Sequence, residues 1–208
     1  MNFKQLFAGL VLSFVGASAN AVLIDFTDEN WATSAPGVTV TANPDQLTFN
    51  QRDRGGCVLG QSYHNLACDG DGIGVVNDEI SEIGNNNVHQ SITVDFGRAV
   101  NVSNVFLLDL FASERGERAD LRQIGEIAVI DGITFQAVAG GYNVGGFWDT
   151  GFSAAGITSL KFTGYNDLFS DYAIAAIEVS PVPLPGSLVL MGSVLMGLGM
   201  YRRKKKVT

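Results

Sequence analysis

The stretch QSITVDFGRAVNVSNVFLLDL, Gln90 to Leu110, decides how the chain folds. Its first part alternates, with Ile92, Val94 and Phe96 on one face and Ser91, Thr93 and Asp95 on the other. That period of two belongs to a strand with one buried and one wet face. The second part, from Val100 onward, is a longer run of β-branched and apolar residues that suits a buried central strand.

Outward from this stretch, short β-rich runs recur between Gly, Asn and Asp clusters. VTVTA (38–42) alternates, and FWDTGF (147–152), ITSLKFTGY (157–165) and DYAIAAIEV (171–179) read as further strands. EIAVI and ITFQAV are separated by Asp131-Gly132, a strong hairpin signal because Gly accepts the positive φ of a primed turn. The charged stretch ASERGERADLRQ (112–123) reads as a loop or a short surface helix. About ten short strands with glycine at the joints predict an all-β fold, an antiparallel two-sheet β-sandwich of jelly-roll type, with a barrel as the alternative. No internal repeat or second domain is visible.

The chain has 208 residues, and both of its ends read as targeting segments. Lys4, an apolar stretch from Leu6 to Val15 and the small residues Ala19 and Ala21 predict a secretory signal helix over residues 1–21, so that the mature chain starts near Val22. The apolar stretch is shorter than the roughly 20 residues of a membrane span. At the other end, SPVPLPG (180–186) breaks the strand pattern, because proline cannot donate to a ladder. The expected division is signal 1–21, β-sandwich domain 22–180 and C-terminal segment 181–208.

From Val22 to Val182 there are 7 basic and 21 acidic residues, a formal charge of 7 − 21 = −14. Such a surface repels phosphate backbones and argues against nucleic acid. Cys57 and Cys68 are the two cysteines, and export to an oxidising compartment makes a disulfide between them the expected state. The loop it closes, CVLGQSYHNLAC, is short, worth about 2–3 kcal/mol in the chain-entropy picture. A zinc pair lacks ligands, since there is no CxxC and His64 is the one nearby imidazole.

After Pro185, residues Gly186 to Tyr201 are uncharged and mostly apolar, and the cluster Arg202, Arg203, Lys204, Lys205 and Lys206 follows. Sixteen residues are short for a membrane helix but sufficient where the bilayer thins and arginines snorkel. The positive-inside rule then leaves the acidic domain outside, in agreement with the N-terminal signal. Length alone leaves a permanent anchor and a removable label both open.

The tail VPLPGSLVLMGSVLMGLGMYRRKKK resembles a PEP-CTERM sorting signal, specifically the VPLPA variant. Val182, Pro183, Leu184 and Pro185 fill the motif, Gly186 stands where the variant has Ala, and the apolar helix and basic finish follow in order. The resemblance implies an exosortase as processing partner, in a Gram-negative bacterium that exports an exopolysaccharide. It also implies transient retention in the inner membrane by the C-terminal helix, removal of the tail, and delivery to the cell surface, outer envelope or extracellular matrix. A sortase signal fails at Ser187 and Leu188, and a GPI signal lacks the basic finish. More weakly, DGDGIGVVNDEI (69–80) and the strand stretch after it resemble β-sandwich domains found upstream of such tails.

For chemistry, the acidic set Asp69, Asp71, Asp78 and Glu79, with Glu82 nearby, is the candidate calcium site, because a glycine-rich loop can bring carboxylates and carbonyls together. The spacing is not that of an EF-hand, since Ile73 and Ile80 occupy required ligand positions. Gly70, Gly72 and Gly74 do not fit a phosphate-binding loop. No GxSxG or HExxH occurs, and His64 and His89 lack catalytic partners in the sequence, so the chain is read as not an enzyme. Aromatic rings stack on sugars, which makes Tyr142, Trp148 and Tyr165 the candidate ligand contacts, while Phe147 or Trp148 also suits the core. The sequence thus points to a non-catalytic binding or structural protein associated with exopolysaccharide, the alternatives being a permanently membrane-anchored adhesive or structural envelope protein and, less favoured, a glycan-active hydrolase.

Overall fold

The computed structural model describes residues 20–49, 65–76, 79–81, 89–112, 125–138, 146–165 and 170–183. In chain order the elements are β1 (Val22–Asp25), α1 (Trp31–Ser34), β2 (Thr39–Asn43), β3 (Leu47–Phe49), β4 (Ile73–Val75), β5 (Ser91–Leu108), β6 (Ile127–Ile130), β7 (Ile133–Gln136), β8 (Trp148–Asp149), β9 (Ala154–Thr163) and β10 (Ala173–Pro181). All described pairings are antiparallel, and the ten strands join one curled sheet with the backbone order β3-β4-β10-β5-β9-β6-β7. β1 adds to β10, and β2 and β8 add to β5.

The two strands read from residues 90–110 are one bent strand of 18 residues. Its first part pairs with β2 on one side and β9 on the other, from Ser91↔Asn43 to Asp95↔Thr39 and from Ser91↔Thr163 to Asp95↔Ser159. Its second part pairs with β10, β8 and the start of β9. Between the two, Asp95 faces Ser159 while Val100 faces Ile157, so the intervening residues of β5 bulge. Gly97 makes this bend, with φ +65, and a Cβ there would sit 2.7 Å from the Gly37 carbonyl oxygen. Its N–H donates to Asp95 Oδ1 at 2.7 Å. The expected pair of separate sheets is therefore corrected: the bulge lets β5 turn without ending, and its two halves serve two parts of one sheet.

Both halves turn apolar faces into one core. Ile92 and Val94 from the first half meet Val105 and Leu107 from the second, with Ile24, Leu160, Phe162, Ile174 and Ile177. The opposite face of the second half is also covered. Phe106, Leu108, Ala173, Ala175 and Ala176 form a second cluster under Leu66 and Phe147. The alanines of β10 let the chain over them come close: at Gly72, φ +110, a Cβ would lie 2.3 Å from the Ile174 carbonyl oxygen. β10 is thus buried on both faces and paired on both sides, with β5 along one edge and β1 and β4 along the other.

The Asp131-Gly132 hairpin forms as read, with φ +47 and +80 at the turn and Ile130 facing Ile133. β10 runs through Ser180 and Pro181, which pair with Asn101 and Val100, so the last strand reaches the proline-rich segment with no linker between them. No helix among the described residues is long and apolar enough to cross a membrane. The signal helix over 1–21, the helix over 186–201 and most of the charged stretch 112–123 lie outside the described residues.

Candidate functional site

Alternation along β2, β5 and β9 sends their polar residues to the outer face in register. The rows across the sheet are Thr39–Asp95–Ser159, Thr41–Thr93–Lys161 and Asn43–Ser91–Thr163. Their apolar neighbours Ile92, Val94, Leu160 and Phe162 are buried beneath. Adjacent strands lie roughly 4.8 Å apart, so this face presents a regular array of hydroxyls, one amide, one carboxylate and one ammonium.

The last row opens into a cleft of about 280 Å³. Asn43, Ser91, Lys161 and Thr163 form its strand walls, and His89, Gln90 and Gly164 close the end. Local bonds hold this shape. Gln90 is 5 % exposed, and its Oε1 accepts the Ser81 N–H at 2.8 Å. Asn43 Nδ2 donates to the His89 carbonyl at 3.4 Å. The Lys161 N–H donates to Asp131 Oδ1 at 2.9 Å, fixing β9 against the hairpin turn.

From beneath, the Tyr172 hydroxyl shares its proton between the Thr163 carbonyl at 2.9 Å and the Val129 carbonyl at 3.1 Å. Burial pushes this phenol far above its ordinary range, so it stays a neutral donor locking β6 to β9 below the cleft.

A second constructed region joins the end of β1 to the segment that contains Cys68. Asp25 Oδ2 accepts the Ala67 N–H at 2.6 Å, and Asp25 Oδ1 accepts the Thr27 N–H and hydroxyl at 2.9 and 2.6 Å. Thr27, fully buried, accepts the Cys68 N–H on Oγ1 at 2.9 Å and the N–H groups of Asp69 and Gly70 on its carbonyl at 3.0 and 3.2 Å. Cys57 lies outside the described residues.

This region carries part of the acidic set considered for calcium. Asp69 is exposed and accepts the Glu29 N–H at 3.4 Å, whereas Asp71 is buried and Glu79 half-buried. Asp78 and Glu82 lie outside the described residues, among which no three His, Cys, Asp or Glu side chains are grouped to hold a metal ion.

Of the candidate aromatics, Trp148 and Tyr165 are among the described residues. Trp148 is half-buried against the main core, and its Nε1–H donates to the Leu110 carbonyl at 2.6 Å. Its polar edge is thus used inside the protein. Phe147 is buried and stacks on Phe106 with ring centroids 5.9 Å apart. Tyr165 is half-buried and follows Gly164 of the cleft, and Tyr142 lies outside the described residues.

Sequence reasoning noted His89 but missed its meeting with Lys161. The signal was present in the polar faces of VTVTA, SITVD and SLKFT, yet only the strand register brings them together.

Val182 and Pro183 are exposed directly beyond β10, and Leu184, Pro185 and Arg202 to Lys206 lie outside the described residues. Comparisons with curated proteins and with solved structures give no match. Residues 181–205 match the family model of the PEP-CTERM protein-sorting motif, so the chain is a PEP-CTERM-containing protein.

Proposed function

We propose that the protein is an exosortase-processed component of a Gram-negative cell surface or extracellular matrix, where its β domain has a non-catalytic role in contact with exopolysaccharide. The observation that carries this reading is the sorting motif starting at Pro181, the last residue of the central strand β10. The folded domain is thereby held directly against whatever enzyme receives the tail. The polar face of β2, β5 and β9, exposed at Thr39, Thr41, Asn43, Asp95, Ser159 and Lys161, supports a saccharide-facing role, because hydroxyls and amides both donate and accept hydrogen bonds to a polyol.

In this reading the signal peptide is removed before Val22, the C-terminal helix holds the protein in the inner membrane until processing, and Cys57–Cys68 closes as a disulfide after export. Calcium at the acidic loop is a subsidiary part of the proposal. The test is retention of the purified full chain, in an uncharged detergent without sugar groups, on the producer's exopolysaccharide, with and without a chelator. Saturable retention is expected. Its absence under both conditions contradicts the saccharide role, and retention unchanged by chelator removes the calcium part alone.

A further inference from the structure

Three side chains among the described residues are able to carry positive charge: His89, Arg98 and Lys161. Two of them line the same cleft, in an exported region with a formal charge of −14 (7 basic against 21 acidic, Val22 to Val182). Among the described residues lining that cleft none is a carboxylate. At physiological salt, charges beyond roughly 8 Å are screened, so among the described residues the charges that bear on the cleft are the Lys161 ammonium, which lines it, and the Asp131 carboxylate, which sits outside the lining on the hairpin turn and accepts the Lys161 N–H at 2.9 Å. Around Lys161 in the cleft are Asn43 and Thr163, neutral groups suited to ring hydroxyls, and the largely buried Ser91.

We infer that the cleft is a subsite for a carboxylate-bearing sugar unit, its carboxylate held by Lys161 with His89 alongside. The hydroxyl rows of β2, β5 and β9 then lie along the path of the polymer leaving the cleft. This assignment rests on the saccharide-binding reading above and adds the class of saccharide. Acidic over neutral polymer is the selectivity that follows, because a neutral chain leaves the ammonium without a partner on binding. The concave, hydrogen-bonded walls distinguish this cleft from the flat remainder of the face, where Asp95 would repel a carboxylate.

The test uses the full chain in uncharged detergent, with polygalacturonate as acidic probe and dextran as neutral probe, beside the producer's exopolysaccharide. Lys161→Gln keeps the stem and removes the charge. Arg98→Gln removes the same charge from the β5 bulge, away from the cleft, and serves as control. The expected result is retention on polygalacturonate but not dextran, weakened about tenfold by Lys161→Gln and unchanged by Arg98→Gln. Equal weakening by both variants, no effect of Lys161→Gln, or equal retention on dextran overturns the subsite while leaving saccharide binding intact. No retention of the unaltered protein on any of the three polymers overturns both.

Discussion

Val22 and Val179 face each other across the antiparallel ladder of β1 and β10. The expected first residue of the mature chain is therefore paired with a residue just ahead of the matched sorting motif, which starts at Pro181 at the same end of these two strands. β10 also pairs with β4 and β5, so the sheet is incomplete until the last strand is in place. A chain ended after Pro185 is expected to unfold thermally as the full chain does. One ended after Ile174 loses most of the central ladder and is expected to show no cooperative transition; circular dichroism against temperature checks both.

Thr27 ties β1 to the Cys68 segment through its hydroxyl and carbonyl. Thr27→Val keeps the shape, removes the hydroxyl and leaves the Cys68 N–H without that acceptor. A loss of about 1–3 kcal/mol is expected in urea unfolding. Hydrogen exchange at Cys68 should rise while exchange in β9 stays as before. Equal exchange at Cys68 in both proteins would show that the tie is dispensable.

At Gly72 two constraints coincide, a positive φ and contact with the β10 backbone. Gly72→Ala is expected to cost more than about 2 kcal/mol, since the strained conformation alone costs about 1–2 and the Ile174 carbonyl must also move. A urea midpoint equal to that of the unaltered protein contradicts the close packing on β10.

Tyr172 gives a pH signature. Its folded-state phenol is held protonated, whereas in the unfolded chain it ionises near pH 10. Above that pH the folded state binds the extra proton, so stability falls as pH rises, by up to about 1.4 kcal/mol per unit from this group. Tyr172→Phe, which costs about 1–3 kcal/mol at neutral pH, should show a shallower fall between pH 10 and 11. Identical slopes in the two proteins would remove Tyr172 as the cause.

Much of this fold is written locally. The Ser91–Asp95 alternation sets which face of β5 is buried, and Asp131-Gly132 sets a hairpin with Ile130 opposite Ile133. The continuity of β5 is not written that way, because Gly97 reads equally as a turn between two strands and as a bulge within one. What decides is β9, remote in sequence, which pairs with β5 on both sides of the bulge. The cleft is hidden for the same reason: His89 and Lys161 have no mutual spacing rule and meet through the pairing of β5 with β9. Nor does the Gly-rich segment around Trp148 reveal that the indole N–H is bonded to the Leu110 carbonyl, 38 residues away in the chain.

As proposed above, the tail is an address that is read and removed. The most direct measurement is the intact mass of the protein recovered from the producer's cell surface, under denaturing conditions with and without reductant. The account predicts a chain beginning at Val22 and ending near Pro185, with a 2-dalton increase on reduction of the one expected disulfide. A surface protein that still carries Arg202 to Lys206 contradicts it and makes the tail a permanent anchor.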